Sequence, residues 1–300
     1  SGNTDGKLTI NKKDLTISNI TANNKTYDGT TTATLSNIGT LVGLVTGEDL
    51  VLNNPTSVIF SSKDVADGIV VTATGYTIAD KDSFKASNYN LLDTSKTTTA
   101  NISKADLTAT LNDNSKTYDG TSYSGGNGIT FNGFVNGETA SLLGGNLVYS
   151  GTSQGAKDAG NYIISGSGLT SNNYNISFVD GKLTINKKDL TISNITANNK
   201  TYDGTTTATL SNIGTLVGLV TGEDLVLNNP TSVIFSSKDV ADGIVVTATG
   251  YTIADKDSFK ASNYNLLDTS KTTTANIVAS VNPTPNPTPN PTPTDNNQKP

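Results

Sequence analysis

The 300-residue chain contains no cysteine, histidine, methionine or tryptophan. It therefore has no disulfide, no thiolate nucleophile, no Cys/His zinc site and no Ser-His-Asp triad. Arginine is missing too, so all 20 basic residues are lysine. With a net charge of -6 and no guanidinium for bidentate phosphate recognition, the composition argues against nucleic acid. No apolar run approaches the roughly 20 residues of a membrane helix. Charged residues are scarce at 15 % and hydrophobic ones at 34 %, and Thr, Asn, Ser and 28 Gly fill the difference. Disorder by charge repulsion needs far more charge than this. The balance instead fits small β-rich domains with polar, turn-rich surfaces.

What is present is repetition. Residues 5–102 recur letter for letter as residues 180–277. Between the copies lies a fainter relative. Lys25-Thr26-Tyr27-Asp28-Gly29 returns as Lys116-Thr117-Tyr118-Asp119-Gly120 and as Lys200-Thr201-Tyr202-Asp203-Gly204. Ser87-Asn88-Tyr89-Asn90 returns, in its last three letters, at Asn173-Tyr174-Asn175 and in full at Ser262-Asn263-Tyr264-Asn265. A unit of about 85–90 residues is longer than a solenoid coil and has the size of a domain. The expected division is 1–11 as the end of a preceding repeat, then modules at 12–103, 104–186 and 187–278. The opening, Ser1 to Gly6, has no Met and no signal peptide and starts inside the pattern, as a fragment would.

Within each unit the local pattern is β. Leu15-Thr16-Ile17-Ser18-Asn19-Ile20 alternates apolar and polar residues. Ser57–Phe60, Ile69–Thr74, Leu147–Ser150 and Tyr162–Ile164 are further strand candidates rich in β-branched or aromatic residues. Asp28-Gly29 and its equivalents are turn signals. Thr46-Gly47-Glu48-Asp49, with acids where a helix N-terminus favours them, predicts a turn or two of helix over 45–50, at Val135–Leu143 and at the third repeat's equivalent. The expected architecture is mainly β, or α+β at most, with one small mixed sheet per module. No Gly/Ser or Pro linker separates the modules, which predicts a semi-rigid rod. From Asn282-Pro283 to Pro293 a Pro-Asn-Pro-Thr run predicts an extended spacer, with 279–300 outside the modules.

The Lys-Thr-Tyr-Asp-Gly motif resembles that of the YDG repeat domains of large bacterial surface proteins. The middle unit resembles their MBG domains through Gly133-Phe134-Val135-Asn136-Gly137-Glu138, Ala159-Gly160-Asn161-Tyr162 and Phe178-Val179-Asp180-Gly181-Lys182-Leu183-Thr184-Ile185. The resemblance covers roughly residues 12–278. It implies β-grasp-like stalk modules of an exported, filamentous-haemagglutinin-like adhesin, at the bacterial surface or secreted, without catalysis or cofactor. Host or matrix glycans would then be partners of the parent protein.

Candidate sites follow from the repeats. Tyr27, Tyr118 and Tyr202 are the candidates for a glycan-stacking surface, against the more ordinary role of packing at a turn. Asp28, Asp119 and Asp203 suit Asx-type turns, with Gly29, Gly120 and Gly204 at positive φ. Asp80 and Asp82, repeated as Asp255 and Asp257, are weak calcium candidates. Lys81 sits between the first pair, and no EF-hand pattern is present. Sequons at Asn19, Asn24, Asn101, Asn175, Asn194 and Asn199 are as frequent as so much Asn, Ser and Thr supplies by chance. The favoured function is a non-catalytic stalk in a monomeric chain. The alternative is an array of weak glycan-binding modules that gains avidity from copy number.

Overall fold

The computed structural model describes residues 1–282, 288–292, 294 and 298. Half of the Pro-rich spacer expected at 279–300 thus lies outside the described residues.

The chain is mainly β, in several small sheets. Each repeat opens with a strand whose alternation is visible in the sequence. In Lys13–Ser18 the apolar Leu15 and Ile17 turn inward and are buried, while Asp14 and Thr16 face solvent. This strand is the middle of a three-stranded sheet. Tyr89–Leu91 lies parallel on one side, with Lys13 opposite Tyr89. Thr40–Val42 lies antiparallel on the other, with Thr16 opposite Val42.

The second sheet has the order Lys25–Thr26, Ser95–Ser103, Ala66–Thr74, Ser57–Phe60. The first pairing is parallel and the other two are antiparallel. Its inward residues are Phe60, Ile69, Val71, Ala73, Ala100 and Ile102, all buried. Tyr76 follows the long strand, and its buried ring directs the hydroxyl to the Ile38 carbonyl at 2.9 Å. The third repeat reproduces this layout around Lys188–Ser193 and Ser270–Val278.

The middle segment has a different sequence but the same plan. Ala105–Leu111 is flanked by antiparallel Ile129–Asn132 and parallel Tyr174–Val179. Gly144–Ser150 pairs antiparallel with Gly160–Thr170.

The helix expected at 45–50 is a turn. Glu48 N–H donates to the Val45 carbonyl, and the same bond recurs from Glu138 to Val135 and from Glu223 to Val220. Gly47 and Gly222 have φ of +86°, and Asn136 and Gly137 have φ of +51° and +71°. Left-handed residues at these positions stop a right-handed helix from propagating. Among the described residues the helical content is three single 3₁₀ turns, Ala86–Asn88, Ala140–Leu142 and Ala261–Asn263.

The chain forms two compact units. One comprises residues 1–114, 122–156 and 161–183; the other comprises 115–121, 157–160 and 184–300. Within the first unit only Lys104 separates Ser95–Ser103 from Ala105–Leu111. The apolar cluster of Tyr27, Phe60, Val71 and Ile102 continues without interruption into Ala105, Leu107 and Tyr174. Lys187 is likewise the single residue between Gly181–Asn186 and Lys188–Ser193.

Leu15→Ala removes a side chain with no exposure and should destabilise the first unit by about 2–5 kcal/mol. Val42→Ala, at a half-exposed position on the neighbouring strand, should cost far less. Urea unfolding of the two variants checks the contrast.

A tyrosine clasp at the joints between repeats

The Lys-Thr-Tyr-Asp-Gly motif builds a stiff turn. Asp28 Oδ1 accepts the Thr30 N–H at 2.9 Å and the Thr30 hydroxyl at 2.8 Å. Lys25 Nζ reaches the same oxygen at 2.8 Å and also donates to the Thr30 and Thr32 carbonyls. The ammonium stands 5.4 Å from the centroid of the Phe60 ring. Asp119 and Asp203 are bonded in the same way to Thr121 and Thr205 and paired with Lys116 and Lys200. Burial works against the Asp28 carboxylate, but Lys25 and Thr30 outweigh it and hold the pKa below the ordinary value. The Lys116 and Lys200 ammoniums lower Asp119 and Asp203 to about 2. Gly29, Gly120 and Gly204 all have φ of +76°.

The turn presents its tyrosine outward from its own repeat. Tyr27 is nevertheless only 2 % exposed, because it enters the face of the middle segment. Its hydroxyl donates to Glu138 Oε1 at 2.6 Å. Tyr174 donates to the other oxygen, Oε2, at 2.5 Å, and the two rings meet edge to face with centroids 5.4 Å apart. Lys63 Nζ lies 3.6 Å from Oε1. One carboxylate is thus clasped by two phenols beside a cation.

Burial by itself would raise the pKa of Glu138, but the hydroxyls of Tyr174 and Tyr27 and the Lys63 charge outweigh it and lower the value. Burial first, and then the Glu138 carboxylate, push the Tyr27 hydroxyl upward.

A second contact locks the same joint. Asn173 Nδ2 donates to Asp64 Oδ1 at 3.0 Å, and Asn173 Oδ1 accepts the Val65 N–H at 3.0 Å. Gly29 has a second reason to be glycine here. A Cβ added to it would lie 2.7 Å from Asn136 Cβ, and its carbonyl accepts the Asn136 amide at 3.1 Å.

Inside the second unit the arrangement recurs with other residues. Tyr118, 3 % exposed, donates to Glu223 Oε1 at 2.7 Å, and Tyr264 donates to Oε2 at 2.5 Å. The Tyr118 and Tyr264 rings are again edge to face at 5.4 Å. Asn263 donates to Asp158 Oδ1 at 3.0 Å and accepts the Ala159 N–H at 2.7 Å. Lys260 pairs with Asp158 at 2.6 Å. Burial, then the Glu223 carboxylate, raise Tyr264 to about 12.

The three motif tyrosines are therefore not equivalent. Tyr27 and Tyr118 are enclosed in joints and offer no ring face to a ligand, while Tyr202 is 42 % exposed. The partners Glu138, Tyr174, Glu223 and Tyr264 escape a reading of the motif alone, since Tyr27 and Glu138 are 111 residues apart in sequence. The available signal was the recurrence of Gly-Glu and Asn-Tyr-Asn once in every unit.

Asp80 and Asp255 accept the N–H of Ala86 and Ala261 at the start of the 3₁₀ turns. Asp82 and Asp257 occupy left-handed backbone, with φ of +53°. Lys81, between the first pair, bonds to Asp49. Among the described residues no three acidic side chains converge as a metal site. Three shallow depressions, of about 220, 290 and 310 Å³, are lined by no titratable side chain.

Residues 11–100 and 186–275 match the model of the YDG domain, and residues 107–184 match that of the MBG domain (YGX type). Among solved structures, the crystal structure of Drosophila N-cadherin EC1-4 is similar at 10 % identity. The match covers 91 % of this chain and 76 % of that one, with a TM-score of 0.27. A crystal structure of Drosophila N-cadherin EC1-3 is similar at 9 % identity, over 87 % and 98 %, with a TM-score of 0.21. No curated protein matches the chain.

Tyr27→Phe leaves Glu138 with one phenol fewer and should destabilise the first unit by about 1.5–3 kcal/mol, as for a hydrogen bond to a charged group. Tyr202→Phe, identical in local sequence, should change stability by less than about 0.5 kcal/mol in dilute solution. Urea unfolding of both variants gives the comparison.

The pH dependence has a definite sign. The folded-state pKa of Glu138 lies below its ordinary value of 4.5. Its contribution is therefore complete above that value and is lost as pH falls through the lower folded value. Melting temperatures of the parent chain and Glu138→Gln should converge as pH falls through that window.

Proposed function

The chain belongs to the YDG-domain family, with an MBG domain between its two YDG domains, and from that membership we propose that it is a stalk region of a secreted bacterial adhesin. In this reading it stands at the cell surface or in the biofilm matrix, gives reach, presents an adhesive region located elsewhere in the parent protein, and catalyses nothing. The supporting observation is how the repeated aromatics are used. Tyr27 and Tyr118 are committed to Glu138 and Glu223 inside joints, where they fix one repeat to the next. A glycan-binding array would keep those rings open to solvent, since stacking on a sugar needs a free face.

Tight joints suit a load-bearing spacer. A single connecting residue, a continuous apolar cluster and a clasped carboxylate leave little freedom for a hinge. Among the described residues, the three depressions carry no pair of carboxylates for glycoside hydrolysis.

The test has two parts. The isolated chain, applied to a glycan array and to a panel of glycoside and ester substrates, should neither bind tightly nor turn over. In the parent protein, in-frame removal of residues 12–278 should leave receptor binding by the detached protein unchanged and reduce adhesion of whole cells. Micromolar binding of one sugar by the isolated chain, lost on Tyr202→Ala, would instead establish the glycan-binding reading.

A further inference from the structure

The opening and closing segments of each repeat lie side by side. We infer that this pairing makes the repeat a mechanical clamp, which resists tension along the chain by loading its terminal strands lengthwise. The inference is carried by strand pairing alone, and force on the isolated chain tests it whatever the parent protein binds.

In the first repeat the two segments run in the same direction. Lys13, Asp14 and Leu15 lie opposite Tyr89, Asn90 and Leu91. Lys25 and Thr26 lie opposite Ile102 and Ser103, again parallel. Bonded partners are 76 residues apart in sequence near the start and 77 near the end, so one register is kept from Lys13 to Thr26. Hydrogen bonds cross the pairing at both ends. The Leu92 N–H donates to the Leu15 carbonyl at 2.9 Å, and the Ile17 N–H to Asp93 Oδ2 at 2.6 Å. Further along, the Asn101 N–H donates to Asn24 Oδ1 at 2.8 Å, and the Tyr27 N–H to the Ser103 carbonyl at 2.8 Å.

The third repeat has the same pairing. Lys188 lies opposite Tyr264 and Lys200 opposite Ile277. The Ile192 N–H donates to Asp268, and the Asn276 N–H to Asn199. In the middle repeat, Ala105 to Thr110 lie opposite Tyr174 to Val179, also parallel, and the Lys182 N–H donates to Asp113 Oδ1 at 2.7 Å.

This geometry decides how tension is borne. Force along the chain enters the first repeat at Lys13 and leaves it at Ser103. It draws the opening segment backward and the closing segment forward, so the two are sheared past each other. Bonds across a sheared pairing share the load and fail together, whereas bonds in a peeled pairing fail one after another. Sliding meets a second obstacle in the core. Leu15, Ile17, Ala100 and Ile102 are buried, and a slip of one residue would turn them to the opposite face. Little slack lies between clamps, since Lys104 alone separates Ser103 from Ala105, and Lys187 alone separates Asn186 from Lys188.

The same repeat offers a contrasting direction. Ser57, Thr74 and Ser95 lie side by side on three neighbouring strands. Force between Ser57 and Ser95 acts across those strands and peels the antiparallel pairings from one end.

The experiment is single-molecule force spectroscopy of the whole chain at one pulling speed. The chain has no cysteine, so cysteines added before Ser1 and after Pro300 hold it by its ends. Ser57→Cys together with Ser95→Cys, both at exposed positions, holds the first repeat crosswise. Each YDG-type repeat pulled from the ends should release about 300 Å of chain, at roughly 3.3–3.6 Å per residue. Its rupture force should be about twice the crosswise value or more, because the crossing bonds are broken together. Asn24→Ala removes one bond across the sheared pairing. It should lower the end-to-end rupture force of one YDG-type repeat, leave the other, which keeps Asn199, as it was, and leave the crosswise force unchanged. An end-to-end force no higher than the crosswise one would overturn the inference. So would Asn24→Ala leaving the end-to-end force unchanged, or lowering both directions alike.

Discussion

A glutamate carboxylate shared between two tyrosine hydroxyls is the constraint on which the joints depend. A buried carboxylate beside an apolar cluster is unfavourable unless its oxygens are satisfied, and the Glu138 side chain is only 8 % exposed. Glu138 has a phenol on each oxygen and Lys63 nearby, and those groups come from both sides of the joint. Neither side alone can complete the set. Separating the two would leave Glu138 with Tyr174 alone and expose the Tyr27 ring. The polar clasp and the apolar burial therefore act together at one place.

The rest of the motif is explained by this demand. The Tyr27 hydroxyl must arrive within hydrogen-bond distance of a fixed oxygen, so the turn that carries it must be stiff. Asp28 fixes the turn through Thr30, and Lys25 ties Asp28 to two carbonyls while covering Phe60. Gly29 supplies the left-handed backbone and the space for Asn136. Five of the six residues from Lys25 to Thr30 thus serve one contact. The equivalent turn at Tyr202 keeps the same local bonds although its tyrosine hydroxyl meets no carboxylate among the described residues, so the turn is formed by local bonds and not by docking.

The strands were legible because alternation forces one face inward. Leu15 and Ile17, the Ser57–Phe60 strand and the run through Val71 and Ala73 all lie where the pattern placed them. The predicted helix at 45–50 failed for a local reason. Its acids matched a helix N-terminus, but Gly47 takes positive φ and Glu48 turns to Tyr89. The tyrosines were legible as repeated elements and not as halves of a joint, since their partners lie in the next repeat. Burial cannot be read from a motif when the covering surface is about a hundred residues away. Leu8 and Ile10 make the same point. They stand 85 % and 87 % exposed, whereas the identical Leu183 and Ile185 are buried. Sequence sets the capacity of a segment to pack, and its neighbours decide whether it does.

The joints also account for how an array of unlike repeats can hold together. The YDG-type turn at Tyr27 docks on an MBG-type face, and the MBG-type turn at Tyr118 docks on a YDG-type face. Both kinds of repeat carry the same Tyr turn, the same Gly-Glu and the same Asn-Tyr, although little else in their sequences agrees. The contact residues are thus held in common while the cores differ. A whole repeat can then be duplicated, as residues 5–102 and 180–277 record, without creating a joint whose carboxylate lacks a second tyrosine. In such a chain stability is the sum of each repeat and its nearest-neighbour contact. An uncovered Tyr turn or Glu face is where that sum is smallest, and where any further repeat gains most by docking.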